Sequence, residues 1–225
     1  MITAEDHEGT TVLHLDDGKV NAFSLDLIAE LDECLDRSVA TSGPIVLVGR
    51  DGILSAGLDL QELNRDPATR RRLATSFVTL TARMFELERP MVVACTGHAL
   101  GAGAALLCVA DRRIGASGPF KIGFNETAAG VSMSAASVEL VRYRMPMPWF
   151  ESIVTGTLFE PPTARTAGLL DQVVEREAVM ETALAEAARL QGLSAKALAG
   201  TKRLARKDAA ARIRAALDDM ISQNR

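Results

Sequence analysis

The sequence predicts an α/β core followed by a helical C-terminal portion, and three observations carry that expectation. Strand-like and helix-like patterns alternate through the first two thirds of the chain. From Arg176 onward the chain is alanine-rich and helical, with breaks expected near Gly192 and Gly200. In the middle, residues 91–130 run from a β-branched strand through a small-residue turn into an apolar, helix-favouring segment. The expected division is a core over 1–175 that holds the site and a helical region over 176–225.

The elements follow in order. Residues 10–16 alternate as a strand and end in the turn signal Asp17-Gly18. Ser24 is a good N-cap for a helix carrying Leu25, Ile28, Leu31 and Leu35 at helical spacing. Residues 44–48, PIVLV, read as a buried strand. Pro67 opens a long helix with Leu73, Phe77, Leu80, Met84 and Leu87 on one face, and Pro90 stops it. Val92-Val93-Ala94-Cys95 is the next buried strand, and 104–110 the apolar helix after the glycines. Further helices are expected over 135–143, 149–155 and 162–167, the last closed by Gly168, then a short strand over 170–174. No internal repeat is visible.

Composition narrows the function. A chain of 225 residues buries a sizeable core, and a formal charge of −4 gives no reason to expect nucleic acid. Three cysteines without CxxC spacing, two of them (Cys95 and Cys108) in apolar runs, suggest buried inert thiols and a reducing compartment. No charged-then-apolar leader opens the chain and no apolar run reaches a membrane span. A cytoplasmic location is expected, with no membrane partner.

The glycine turn 97–103 admits several chemistries. A dinucleotide fingerprint would want glycine at Leu106, and a phosphate loop would close in Gly-Lys-Ser/Thr rather than Gly103-Ala104-Ala105. Gly130-Val131-Ser132-Met133-Ser134 lacks the final glycine of a nucleophile elbow. A plain packing turn competes with a site in which unpaired N–H groups at the helix start face a developing negative charge. The turn 54–60 is a second small-residue corner that could offer another N–H to the same oxygen. Glu126, between the apolar stretch 120–124 and Ala128-Ala129-Gly130, is a candidate base whose neighbours would raise its pKa; a solvated loop carboxylate is the competing reading. His98 reads as a structural histidine, no spacing suggests a metal, and Lys202, Arg203, Arg206 and Lys207 read as a solvated helix face.

These residues together resemble the crotonase (enoyl-CoA hydratase/isomerase) superfamily over nearly the whole chain. Val20-Asn21-Ala22-Phe23-Ser24 is similar to that family's VNALS-type helix entry, 54–60 to its F-S-A-G-x-D-L segment, and 97–103 to its G-x-x-x-G-G-G turn. The resemblance implies a spiral of ββα turns, and oxyanion-hole N–H groups at Leu58 and Ala102. It also implies substrate contacts at Ala22, Ala56, Asp59, Gly101 and Gly130. Lys121-Ile122-Gly123-Phe124-Asn125-Glu126-Thr127 resembles the IGLNET-like segment of Δ3-Δ2-enoyl-CoA isomerases, which makes Glu126 the expected catalytic base. Residues 158–162 and 167–174 are also similar to those isomerases. The hydratases use a second glutamate, and Ala105 stands at that position here. Ala102 replaces the family's middle glycine, and Ser132-Met133-Ser134 departs from the isomerase pattern.

The function expected from the resemblance is isomerisation of an enoyl-CoA thioester, with CoA entering as part of the substrate and no separate cofactor. A hydratase or other crotonase-fold enzyme, and a non-catalytic acyl-CoA-binding protein, are the alternatives. The family implies a homotrimer or a dimer of trimers, built partly from an oligomerisation region over 176–225.

Overall fold

The computed structural model describes residues 1–38 and 43–223. In chain order the elements are β1 (Ile2–His7), β2 (Thr10–Leu15), β3 (Ala22–Phe23), α1 (Leu25–Ser38), β4 (Ile45–Val48), β5 (Gly52–Ser55), β6 (Gly57–Leu58), α2 (Leu60–Arg65) and α3 (Pro67–Glu86). The middle comprises β7 (Met91–Cys95), β8 (Gly97–Leu100), α4 (Ala102–Val109), β9 (Arg112–Ala116) and β10 (Ile122–Gly123). Then come α5 (Ala135–Arg144), α6 (Met147–Phe150), α7 (Ser152–Thr155), β11 (Leu158–Phe159), α8 (Pro161–Thr166) and β12 (Gln172–Val174). A 3-10 turn at Arg176–Ala178 leads to α9 (Val179–Gln191) and α10 (Ala195–Ser222).

The strands stack as a spiral. One sheet has the order β1-β2-β4-β7-β9-β12, parallel except at the β1–β2 hairpin. A second has the order β11-β10-β8-β5, and β3 and β6 form a small parallel pair. The turns β4–β5, β7–β8 and β9–β10 each place one strand in each main sheet: Ile45 stands beside Met91 in the first, Gly52 beside Gly97 in the second. The repeat is one of backbone path, which explains why the sequence does not display it.

Burial follows from this layering. Leu13, Leu47 and Val93 face a core shared with α1, α3, α4 and α10, while Val12, Val46 and Val92 face the opposite side, against Val179, Ala183, Ala187 and Leu190 of α9. Strands covered on both faces need apolar residues at every position, which is why β4 and β7 read as unbroken apolar runs. Ser24 caps α1, its Oγ accepting from Leu27 N at 3.1 Å, and Asp66 caps α3 with Pro67 in the first turn. No described helix is long and apolar enough to cross a membrane.

Several expectations need correction. Helix α10 runs unbroken through Gly200, a cost of about 1 kcal/mol in a helix interior that packing against α3 and α5 overrides. The single helix expected over 149–155 is two short ones that meet at Glu151, and the first begins earlier, at Met147, because Pro148 fits its first turn. Helix α4 starts at Ala102, two residues before the expected 104. The basic set 202–207 is split: Arg203 and Lys207 are exposed, but Arg206 is buried and the Lys202 side chain is 8% exposed, both paired to Asp111.

Helix α4 touches the β5–β6 corner with no space to spare. A Cβ added at Gly103 would lie 2.5 Å from the Ser55 carbonyl oxygen. Gly103→Ala should therefore destabilise the fold by about 1–3 kcal/mol, read as a drop of several degrees in a thermal melt. An unchanged Tm would show that the corner yields freely.

Candidate active site

Two corners and one loop meet at the start of α4. The first corner is held by Asn21, fully buried with φ 53, whose amide donates to the carbonyls of Leu15 (2.7 Å) and Leu54 (3.1 Å). Its own carbonyl accepts from Ser55 Oγ at 2.6 Å, and Ser55 Oγ accepts from Gly57 N at 3.1 Å. One polar side chain thus ties β2 to β5 and fixes the turn before Leu58. Sequence reading recognised Asn21 only as a letter in a motif; a buried amide in a left-handed conformation leaves no periodic signal.

At Leu58 the backbone is pinned on one side. Asp59 N donates to Phe23 O at 3.0 Å, so the alternation of an extended strand turns the Leu58 N–H away from β3. The other corner is Gly101, whose φ of 52 favours glycine. Gly101 N donates to Gly123 O at 2.9 Å, and Ala105 N donates to Gly101 O at 3.0 Å. The Ala102 N–H, at the first helical residue, belongs to the donors that helical bonding leaves free. Ala102 is not among the non-glycine residues with positive φ, so the alanine sits without strain. A Cβ on Gly57 would lie 3.7 Å from Ala102 N, which brings the two corners side by side.

Glu126 joins them through strand pairing. β10 lies parallel to β8, Gly123 opposite Leu100, and the chain leaves β10 straight into Phe124-Asn125-Glu126. A Cβ on Gly101 would stand 3.3 Å from Glu126 Oε1 and 3.6 Å from Asn125 Oδ1. Glu126 Oε2 is buried with no hydrogen-bond partner among the described residues. Loss of solvent pushes the Glu126 pKa up, against a weaker opposing pull from a backbone hydrogen bond. A desolvated carboxylate beside two outward N–H groups can move a proton where negative charge develops.

The remaining expected residues are placed as follows. Ala22 pairs with Gly57 across β3–β6, and its N–H donates to Asp17 Oδ2 (3.1 Å). Ala56 N donates to Val20 O at 2.9 Å, and Asp59 accepts from Glu62 N at 2.9 Å as the N-cap of α2. These three flank Leu58. Gly130 lies in the exposed turn beyond Glu126 and bonds back to Thr127 O at 3.1 Å. Ala105 is 5% exposed and brings no second carboxylate. His98 Nδ1 accepts from Lys121 N at 3.0 Å and its ring packs edge-on against Phe120, a structural arrangement. Cys95 and Cys108 are buried, their thiols pushed up to about 12 by desolvation, which rules out a thiolate nucleophile at either.

Sequence comparison decides the family. The model of the enoyl-CoA hydratase/isomerase family matches residues 5–222. The chain belongs to that family. Human mitochondrial enoyl-CoA delta isomerase 1 is 31% identical over 211 residues, 91% of this chain and 70% of the relative. A probable enoyl-CoA hydratase from Rhizobium meliloti is 31% identical over 181 residues, 78% of this chain and 68% of that protein. Among solved structures, an enoyl-CoA hydratase/isomerase family protein from Pseudomonas syringae superposes with a TM-score of 0.95 at 36% identity, covering 97% of this chain and 95% of that one. Human mitochondrial delta3-delta2-enoyl-CoA isomerase gives 0.91 at 28% identity, covering 99% and 91%. The ββα spiral with its helical C-terminal portion is the crotonase fold of this hydratase/isomerase family.

The raised pKa of Glu126 carries a stability consequence for this family member. Its folded value lies above the ordinary 4.5, so the folded chain binds that proton more tightly than the unfolded chain. The ionised carboxylate therefore costs stability above pH 4.5, the cost growing up to the folded pKa and staying constant beyond it. Glu126→Gln should melt higher than wild type at pH 7, with the gap shrinking as the pH falls from the folded pKa to 4.5 and closed below it. A variant that melts lower at pH 7 would mean that the carboxylate is held by contacts worth more than its desolvation.

Proposed function

We propose that the chain is a Δ3-Δ2-enoyl-CoA isomerase. The observation that carries this reading is the Glu126 carboxylate, sheltered and 3.3 Å from where a Gly101 Cβ would stand, with Ala105 in place of a second acid. Glu126 takes a proton from C2 of a 3-enoyl thioester, and the electrons of that C–H bond pass into a dienolate whose charge rests on the thioester oxygen. The N–H groups of Leu58 and Ala102 hold that oxygen. Glu126 then returns the proton to C4, the thioester carbonyl reforms, and the double bond lies between C2 and C3. Atoms and charge balance without a further reagent, so no separate cofactor is required; CoA enters as part of the substrate.

Ala22, Ala56, Asp59, Gly101 and Gly130 complete the substrate contacts in this reading. Hydration needs a water held and activated, a task that two carboxylates share in hydratases; one carboxylate suffices to shuttle a proton between two carbons. A hydratase remains the second reading because relatives carry that name as well. The assembly proposed is a homotrimer or dimer of trimers, and the location proposed is the cytoplasm, in keeping with three reduced, buried cysteines.

Purified enzyme should convert a 3-enoyl-CoA to its 2-enoyl isomer with little hydration of the product. Glu126→Gln should lower turnover by about 10²–10⁴-fold and abolish deuterium exchange at C2 while thioester binding persists. Wild type that binds acyl-CoA without exchange or isomerisation at any chain length would be a binding protein. Efficient hydration of 2-enoyl-CoA would require a second acid from another position.

The oxyanion assignment has its own test. Ala102 is the first residue of α4, a place where proline is tolerated, so Ala102→Pro removes the N–H with little harm to the helix. The expected loss in kcat is about 10²–10³-fold. A folded Ala102→Pro enzyme with full activity would show that the donor lies elsewhere.

A further inference from the structure

The far end of α4 is as deliberate as the end that faces the site. All eight residues of α4 are buried, and none has a hydrogen-bonding side chain other than the Cys108 thiol. Apolar packing along the sides, closest where Gly103 meets Ser55, supplies no directional bonds. Directional bonds exist at its two ends. At the N-terminal end they are few, because first-turn N–H groups have to stay open for a ligand.

The C-terminal end carries the bonds instead. Cys108 O accepts from Arg144 Nη2 at 3.1 Å, and Ala110 O from the same nitrogen at 2.7 Å. Val109 O accepts from Arg206 Nη1 at 3.1 Å, and that nitrogen also donates to Phe85 O at 2.6 Å. Arg206 lies over the Phe85 ring, 4.6 Å from its centroid, and Arg206 Nη2 bonds Asp111 Oδ1 at 2.8 Å. Asp111 in turn accepts from Lys202 Nζ at 2.6 Å and Met91 N at 2.8 Å. The last carbonyls of α4 are therefore fastened to α5 by Arg144, and to α3 and α10 by Arg206.

We infer that Arg144 and Arg206 are positioning residues for the Ala102 donor, fixing α4 along its axis from the end opposite the site. The inference rests on the oxyanion role proposed above. Eight residues span about 12 Å, and a buried helix moves as a rod. A slip at Val109 is therefore passed along the helix towards Ala102, where Gly103 against Ser55 is the opposing contact. Positioning errors of about 1 Å can cost about 10²-fold in rate. Cations at this end also complement the partial negative charge of the helix C-terminus.

The test compares Arg206→Met, Arg144→Met and the charge-keeping Arg206→Lys and Arg144→Lys. A cavity of about 560 Å³ borders Asp111, Arg144, Lys202 and Arg206, which gives water a route to the carbonyls that a lost guanidinium leaves open. Folding is read by thermal melts, kcat and KM with a 3-enoyl-CoA, and oxyanion-hole strength by the infrared carbonyl band of a bound, isotope-labelled 2-enoyl-CoA. In folded methionine variants kcat should fall about tenfold or more with KM changed less than about threefold. The bound carbonyl band should move back towards its frequency in free solution. The lysine variants should lie between, because an ammonium cannot fork across the same carbonyls. Folded variants whose carbonyl band and kcat match wild type would overturn the inference and leave the proposed function standing. Where the methionine variants do not fold, the lysine pair decides by the same two readouts. Wild type that fails to shift the bound carbonyl at all would overturn the oxyanion assignment, and this inference with it.

Discussion

A helix with no polar face, buried whole, places a demand on the rest of the chain. The peptide groups at its two ends cannot turn to water and must be met by protein or ligand, at a cost of a few kcal/mol for each that is not. In α4 the chain answers differently at each end. At the C-terminus, guanidinium groups from α5 and α10 bond the carbonyls of Cys108, Val109 and Ala110. At the N-terminus the Ala102 N–H lies beside Gly57 and within reach of the same space as Glu126. The order of elements makes this arrangement natural: the spiral carries β7, β8 and α4 through the centre, and the last helix, packed on α3 and α5, reaches the end of α4 through Arg206.

The site's polar parts are placed by bonds between distant stretches of chain. Asn21 joins β2 to β5, Ser55 joins that tie to Gly57, and Gly101 N joins the second corner to β10. Each joint pairs a backbone group that would otherwise be buried unsatisfied, so the same bonds serve stability and geometry. Glu126 is the exception. Its Oε2 has no partner among the described residues, and its ionised form is disfavoured by burial. The backbone groups around this carboxylate are paired while its Oε2 is not, a departure of the kind found at functional groups.

Much of this was legible in the sequence where the physics is local or periodic. The α3 stripe of Leu73, Phe77, Leu80 and Met84 is buried as its spacing implies, and the unbroken apolar runs of β4 and β7 report sheets covered on both faces. Strand β1 was not legible, because only Ile2 of its six residues is buried and no alternation results. The two-residue strands β3, β6 and β10 are too short to carry a period. Lys202 and Arg206 were misread for a different reason: charge on an alanine-rich helix implies solvent unless one knows that the end of another helix lies beneath it. In the site, the corners and Glu126 were visible as motif letters, but their proximity depends on β8–β10 pairing across about twenty residues, and no local pattern encodes that.

The choice between isomerisation and hydration turns on what a single carboxyl is free to do. A base that collects a proton at one carbon and returns it at another two bonds away has to present its oxygens to both positions. A carboxylate clamped by several hydrogen bonds is held in one orientation and has its basicity lowered by the same bonds. Glu126 has neither restraint on Oε2, and desolvation raises its proton affinity. Holding a water for addition asks for the opposite: acceptors fixed at two points, so that the water's lone pair is aimed. The helix turn that would carry the second acceptor presents the methyl group of Ala105, packed into the core at 5% exposure. An unpartnered Oε2 suits moving a proton between carbons better than it suits aiming a water, and that is the physical ground of the isomerase reading proposed above.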